Sequence, residues 1–394
     1  MSTPLDDLPL GEVGARLRIA REAANITQAD AAAVIEAART TIVAIEQGQR
    51  RVRIHELQKL ARLYRMSVNA LLRQEAVHVD LEPRFRRLAD SSDADAVDAV
   101  QLLSDLAKAE VELENLLGVQ RVRNYPPERP LLRGDVRAQA EHDATELRQR
   151  LGLGISAVPD IVTLLEMEMG VRVYVRRLDG RISGLFAYDD TLGSCMLLNA
   201  NHPRERRTQT AAHETGHMIA NRRDPEILHR YERATSREER YAEAFGRAFL
   251  TPARAVAQKF QEVTAGSDRL ARRHIIVLAH FFGVSREAMV RRLEELELTK
   301  TGAWDWFEAN GGITDEQARQ VLGDLSAADV HKADADRPTT LRLNLLAYEA
   351  YRRDLLSEGQ LARLLHLDLV EVREIVQAQE IEGSEAGEPP TLLG

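Results

Sequence analysis

Two histidines four residues apart, His213 and His217, with Glu214 directly after the first, form the pattern H-E-x-x-H in TQTAAHETGHMIANRRD. On a helix, residues i and i+4 lie one above the other on the same face. Both imidazoles can therefore aim at one point, where zinc accepts ring nitrogens at about 2.0–2.1 Å. Glu214 is rotated by about 100° from His213, so it cannot share the ligand direction. It can stand beside the remaining coordination position and take a proton from water. The same five-residue pattern also arises by chance on surface helices, so it needs a second feature. That feature is EERYAEAFGRAFLTP, residues 238–252. It reads as a helix with Ala242, Phe245 and Phe249 on one side and Glu239 and Glu243 at i, i+4 on another. A catalytic zinc centre wants three protein ligands and one open position, and one of these two glutamates can supply the third. Gly216, inside the first helix, costs about 1 kcal/mol against Ala, which is explicable if another backbone passes close by.

These residues need elements to hold them. Helices are expected at 137–150 and 161–169, then strands from VRVYVRRL, ISGLFAYDD and GSCMLLNA, separated by turn residues at 179–180 and 190–193. The helix carrying His213 should start near Pro203, and helices continue to about 298. Within that stretch VLAHFFGVSREAMVRRLEEL reads as a helix-turn-helix serving as packing beside the site. Cys195 reads as a small buried apolar residue on its strand. The expected fold class is mainly α with a small β-sheet (α+β). The division is 1–75 for an N-terminal helical unit, 76–135 for a helical linker, 136–300 for the unit with the histidines, and 301–394 for a C-terminal helical unit. The linker contains a long helix, 93–117, whose apolar spacing suits packing or coiling and whose acidic surface suits solvent or a dimer contact. The C-terminal unit contains a helix pair with a short turn, at LLAYEAYRRDLLSEGQLARLLHLDLVEVREIV, read chiefly as packing, with a second DNA or protein contact as the alternative.

Over 394 residues the net charge is −9, which excludes a uniformly basic nucleic-acid coat. Residues 11–73 differ from the rest: 11 Lys+Arg against 6 Asp+Glu gives a local +5. That stretch reads as five short helices, two of them joined by a tight link at 36–38, which is helix-turn-helix geometry. A small basic unit on an acidic chain fits a DNA-reading module with another activity attached. A single cysteine excludes an internal disulfide and a Cys-rich metal site. The first residues lack the features of a signal peptide, and no apolar run nears the roughly 20 residues of a membrane span. A cytoplasmic protein with no membrane contact is expected.

The N-terminal stretch NITQADAAAVIEAARTTIVAIEQGQR resembles the Xre/Cro/CI-type repressors. The resemblance implies that Thr27 caps the second helix, that Gln28 meets a phosphate, and that Arg39, Thr40, Thr41 and Ala44 face base edges of a double-stranded operator. Arg50, with Arg51 and Arg53, would neutralise phosphates, and Ile42, Ile45 and Leu60 would be core. Two departures stand out: Glu36 where the turn has glycine, and Ala38 where it has serine. Paired half-sites make a homodimer the expected state.

From about 136 to 298 the chain resembles the ImmA/IrrE metallopeptidases, on AAHETGHMIA and EERYAEAFGRAFLTP. The family's second motif, E-x-x-A-[NDE]-x-F-A-x-x-L-L-M-P, places Glu239 as the third ligand, with departures at Gly246, Phe249 and Thr251. The resemblance implies a zinc-dependent endopeptidase in which His213, His217 and Glu239 hold the metal and Glu214 is the catalytic base. Its protein substrate would be a repressor, a partner or the chain itself, cleaved in a bacterial stress or phage response. Tyr188, His202, Tyr231 and Tyr241 are candidates for a donor to the oxyanion. The alternatives are a DNA-binding switch whose peptidase-like unit senses or scaffolds without proteolysis, and a zinc hydrolase acting on a small molecule.

Overall fold

The computed structural model describes residues 10–66 apart from 25 and 65, residue 71, and residues 94–223, 226–229, 236–323 and 339–380. The chain divides into two compact units, residues 1–78 and 79–394.

In the first unit, α1 (Leu10–Ala23), α2 (Gln28–Val34), α3 (Arg39–Glu46) and α4 (Ile54–Leu63) enclose a core that includes Leu17, Ile42, Ile45, Leu57 and Leu60. The expected fifth helix falls on residues outside the described ones, Leu71 excepted. Thr27 caps α2, its hydroxyl accepting from the Asp30 amide at 3.2 Å. Ala38 precedes α3 with no side-chain cap. Glu36, noted above as a departure in the turn, takes the left-handed backbone conformation, φ +55°. Glycine reaches that conformation without the Cβ clash that a side chain brings.

The second unit is built on four strands: β1 (Arg172–Arg176), β2 (Ile182–Asp189), β3 (Gly193–Asn199) and β4 (Glu226–His229), in the order β1-β3-β2-β4. β1 runs parallel to β3, and β2 is antiparallel to both β3 and β4. The first three match the expected strands; β4 is an addition at the sheet edge. Alternate residues feed two different cores. Val173, Phe186, Met196 and Leu198 join one, while Tyr174, Leu185, Cys195 and Leu197 join the other. Both faces are covered, which is why these strands read as nearly continuous apolar runs.

The first face carries α6 (Val136–Arg150, after α5 below), α7 (Ile161–Thr163) with a π-helical turn at Leu164–Glu168, α8 (Arg204–Ala220) and α9 (Arg237–Leu250). Also joined to this core are α10 (Ala253–Val263), α11 (Arg272–Phe282), α12 (Arg286–Glu295), α13 (Ala303–Ala309) and α14 (Asp315–Leu322). The expected helix-turn-helix is the α11–α12 pair, turned on left-handed Gly283 and packed into the core as anticipated.

The opposite face carries α5 (Ala94–Leu117) with α15 (Leu341–Arg352), α16 (Glu358–Leu364) and α17 (Leu369–Glu380). Two expectations are corrected here. The acidic helix is not a solvated or dimerising connector: Leu103, Leu106 and Leu113 are fully buried against the sheet. Where a helix pair was expected, the described residues 341–380 form three helices. Side chains far apart in the chain lock this layer. Arg172 from β1 holds Glu114 at 2.6 Å and Glu110 at 3.2 Å, and the Tyr174 hydroxyl donates to Glu110 at 2.7 Å. Arg121 pairs with the same two carboxylates, and Arg342 of α15 reaches Glu114 at 3.0 Å. Buried charges persist only when paired and hydrogen-bonded in this way. Glu166, in the π turn, accepts from the Arg342 amide at 2.9 Å and from the Thr340 hydroxyl, holding the start of α15.

Candidate metal centre and nucleic-acid interface

The pairing of α8 with α9 assembles the site. α9 begins at Ser236, whose hydroxyl accepts from the Glu239 amide at 3.0 Å. This cap fixes Glu239 in the first turn. One side of α9 is apolar, with Tyr241, Phe245 and Phe249 stacked at ring spacings of 6.1 and 5.9 Å. Two glycines let the helix backbones meet. A Cβ on Gly216 would stand 2.8 Å from Ala242 Cα, and one on Gly246 would stand 3.0 Å from the His213 amide nitrogen. The backbone approach expected from Gly216 is therefore present. Gly246, which departs from the family pattern, has the reciprocal role against His213.

Across that contact His213 Nε2 and His217 Nε2 are 3.0 Å apart. Glu239 Oε1 lies 3.0 Å from His217 Nε2, and Oε2 lies 3.4 Å from His213 Nε2. Both rings are buried, whereas the Glu239 side chain keeps 23% of its exposure, so the cluster opens toward solvent on the carboxylate side. Burial pushes the His213 pKa down. The hydrogen bonds with His213 and His217 hold the Glu239 carboxyl well below the usual carboxylate range. Neutral imidazole and ionised carboxylate are the forms that bind a divalent cation.

The donor set passes a test of size. Four ligands at about 2.0–2.1 Å in a tetrahedron stand about 3.3 Å from one another. The observed separations of 3.0, 3.4 and 3.0 Å are close to that edge. Of the two glutamates left open by spacing, Glu239 meets the rings, while Glu243 turns to Arg247 at 2.7 Å. Glu214 is completely buried one residue after His213. A second group of potential ligands, His142, Asp143 and Glu146, already has the Arg129 guanidinium paired with both of its carboxylates.

The candidate oxyanion donors are placed as follows. The Tyr241 hydroxyl donates to Asp143 at 2.8 Å and is buried. His202 Nε2 is 3.2 Å from the Gly180 carbonyl. Tyr188 packs edge-on against Tyr125 with the Arg222 guanidinium near its ring. Tyr231 lies outside the described residues. The Ser236 cap is carried by the local pattern S-R-E-E, a signal that the sequence offered and the reading of it passed over, whereas the Asp143–Tyr241 bond joins residues 98 apart and has no local signal.

In the first unit Arg39 and Thr40 are exposed at the start of α3, and Thr41 and Ala44 are half-buried. The Gln28 amide donates to Glu46 at 2.9 Å and accepts from Arg39 at 3.4 Å. Glu46 is itself held by buried Arg21 at 2.6 Å, a pairing that the sequence reading missed. Arg50 holds Glu56 at 2.8 Å, so its guanidinium also ties the α3–α4 link to the first turn of α4.

Comparison with known families agrees with this division of labour. Residues 12–74 match the model of a helix-turn-helix domain. Residues 166–294 match the model of the IrrE N-terminal-like domain, peptidase M78. No curated protein gave a match to the chain. Among the described residues no helix is long and apolar enough to cross a membrane. The chain is a fusion of a helix-turn-helix domain with an IrrE N-terminal-like, peptidase M78 domain.

Proposed function

We propose that this chain is a cytoplasmic DNA-binding transcriptional regulator with a zinc-dependent endopeptidase in its second unit. His213, His217 and Glu239 hold the metal and Glu214 is the catalytic base. The observation that supports this most is the convergence of two ring nitrogens and one carboxylate from separate helices at tetrahedral-edge spacing. When bound, zinc supplies Lewis acidity toward a peptide carbonyl and toward water. Glu214, buried beside the first histidine, takes the proton from the attacking water and passes it to the leaving amine. The buried faces of α8 and α9 keep bulk water away from that exchange.

The substrate on this reading is a regulatory protein: a repressor, a partner, or the chain itself, in a bacterial stress or phage response. The first unit, with Gln28, Arg39, Thr40, Thr41, Ala44 and Arg50 on its DNA side, binds a double-stranded operator as a homodimer. The division 1–75, 76–135, 136–300 and 301–394 belongs to the same reading.

The test is incubation of the purified chain with and without zinc and DNA, followed by mass analysis of fragments from itself and from added regulators. Glu214→Gln should keep zinc and lose cleavage by at least about a hundredfold. Equal cleavage by wild type and Glu214→Gln would remove the peptidase assignment and leave the DNA-binding switch.

A further inference from the structure

The α16–α17 pair repeats the geometry of the DNA-reading α2–α3 pair. In each, a seven-residue helix starts at a capping hydroxyl, Thr27 or Ser357. In each, a four-residue turn has a left-handed residue other than glycine at its second position, Glu36 at φ +55° and His366 at φ +52°. The same backbone bond closes both turns at 2.9 Å: Ala37 to the Ala32 carbonyl, and Leu367 to the Ala362 carbonyl. The register is constant at 330 positions. Buried Ile35, Ile42 and Ile45 correspond to buried Leu365, Val372 and Ile375.

What differs is the outward face. The positions of Gln28, Thr41 and Ala44 are held by Glu358, Glu371 and Glu374, and those of Arg39 and Thr40 by Leu369 and Val370. Residues 357–380 carry five carboxylates and two guanidiniums, and Arg373 is already paired with Glu358 at 2.9 Å. A phosphate backbone is repelled by such a face. Two apolar side chains remain in solvent at the head of α17, Leu369 at 46% and Val370 at 61% exposure, beside Asp368, Glu371 and Glu374. A second copy of the same face would set like charges against each other, whereas a basic one is complementary.

We infer that α16–α17 is a helix-turn-helix turned from DNA to protein, whose α17 face docks a basic helical segment of a partner protein through apolar anchors flanked by Lys or Arg. The inference does not depend on the peptidase assignment.

The test uses the full chain and two labelled 18-residue amphipathic probes, one of Leu and Lys and one of Leu and Glu, followed by fluorescence anisotropy. Wild type should bind the Leu/Lys probe and not the Leu/Glu probe. The exposed-site double variant Leu369→Ser/Val370→Ser should lose at least about tenfold in affinity, with its circular dichroism unchanged. If the double variant unfolds, Val370→Ser alone carries the test. Glu374→Lys should weaken binding severalfold, while Glu308→Lys on α13, which makes the same change in net charge at another exposed site, should not. Equal losses from Glu374→Lys and Glu308→Lys would overturn the inference, as would no binding by wild type. A monomer–dimer equilibrium abolished by Val370→Ser would also overturn it, showing that a second copy occupies the face.

Discussion

Gly216→Ala should weaken zinc binding without grossly unfolding the chain. An added Cβ would stand 2.8 Å from Ala242 Cα and 3.2 Å from its carbonyl oxygen. Unstrained carbon contacts need about 3.5–4.0 Å, so α8 and α9 must part by about 0.7–1.2 Å at that level. Ala242 is less than one helical turn from Glu239, whose carboxylate lies 3.0 Å from His217 and 3.4 Å from His213. The displacement therefore opens the ligand triangle, where the tolerance is about 0.5 Å. Disturbing the groups that orient metal ligands costs about 10–100-fold in affinity, and that is the expected loss. Stability should change less: a helix-propensity gain of about 1 kcal/mol opposes an overpacking loss of about 1–3 kcal/mol. Competition with a chromophoric chelator gives the zinc affinity, and a thermal melt of the same sample gives the stability. Gly359→Ala in α16 is the control, because its Cβ meets nothing within 4 Å; it should stabilise slightly and leave zinc affinity alone. Wild-type zinc affinity in Gly216→Ala would refute the idea that close helix approach sets the centre.

Three other outcomes are expected. Burial pushes the Glu166 carboxyl up to about 7 from an ordinary 4.5. A raised carboxyl favours the folded state while protonated, so its contribution is complete below about pH 4.5 and is lost as pH rises through about 7, by up to about 3 kcal/mol. Urea unfolding of wild type and Glu166→Gln should therefore diverge across that window, and a difference independent of pH would contradict the assignment. Arg172→Met leaves Glu110 and Glu114 short of a buried partner and should cost about 3–5 kcal/mol in the same assay; a cost under about 1 kcal/mol would mean that the remaining arginines suffice. In the first unit, Ala38→Ser supplies the missing cap of α3 and should stabilise by about 1 kcal/mol. Glu36→Gly should raise the thermal midpoint by relieving the left-handed backbone, despite losing the exposed Lys59 pair at 2.7 Å; a lower midpoint in either variant would contradict this reading.

The grouping of His213, His217 and a glutamate was legible in the sequence because its signal is local. His213 and His217 share a face through helical period alone, and so do Glu239 and Glu243. The fold separates the last two by bringing Glu239 to the rings, while Glu243 pairs within its own helix with Arg247 four residues on. The three apolar strands were legible for a similar reason, while short β4 follows residues with no such run. The long acidic helix misled because Glu110 and Glu114 look like solvated charges when viewed within their own turn. Of their partners, Arg121 follows shortly after the helix, but Arg172 and Arg342 come from distant segments, and no local pattern encodes pairings of that range. Glu36 and Ala38 stood out as departures in sequence, and the left-handed φ and the uncapped α3 give them their physical meaning.

The central claim is tested most directly by equilibrium dialysis against zinc, with metal counted per chain. Wild type and Glu214→Gln should each hold a single tightly bound zinc, while Glu239→Gln should bind at least about tenfold more weakly. Full zinc affinity in Glu239→Gln, or no zinc in wild type, would contradict a centre formed by His213, His217 and Glu239.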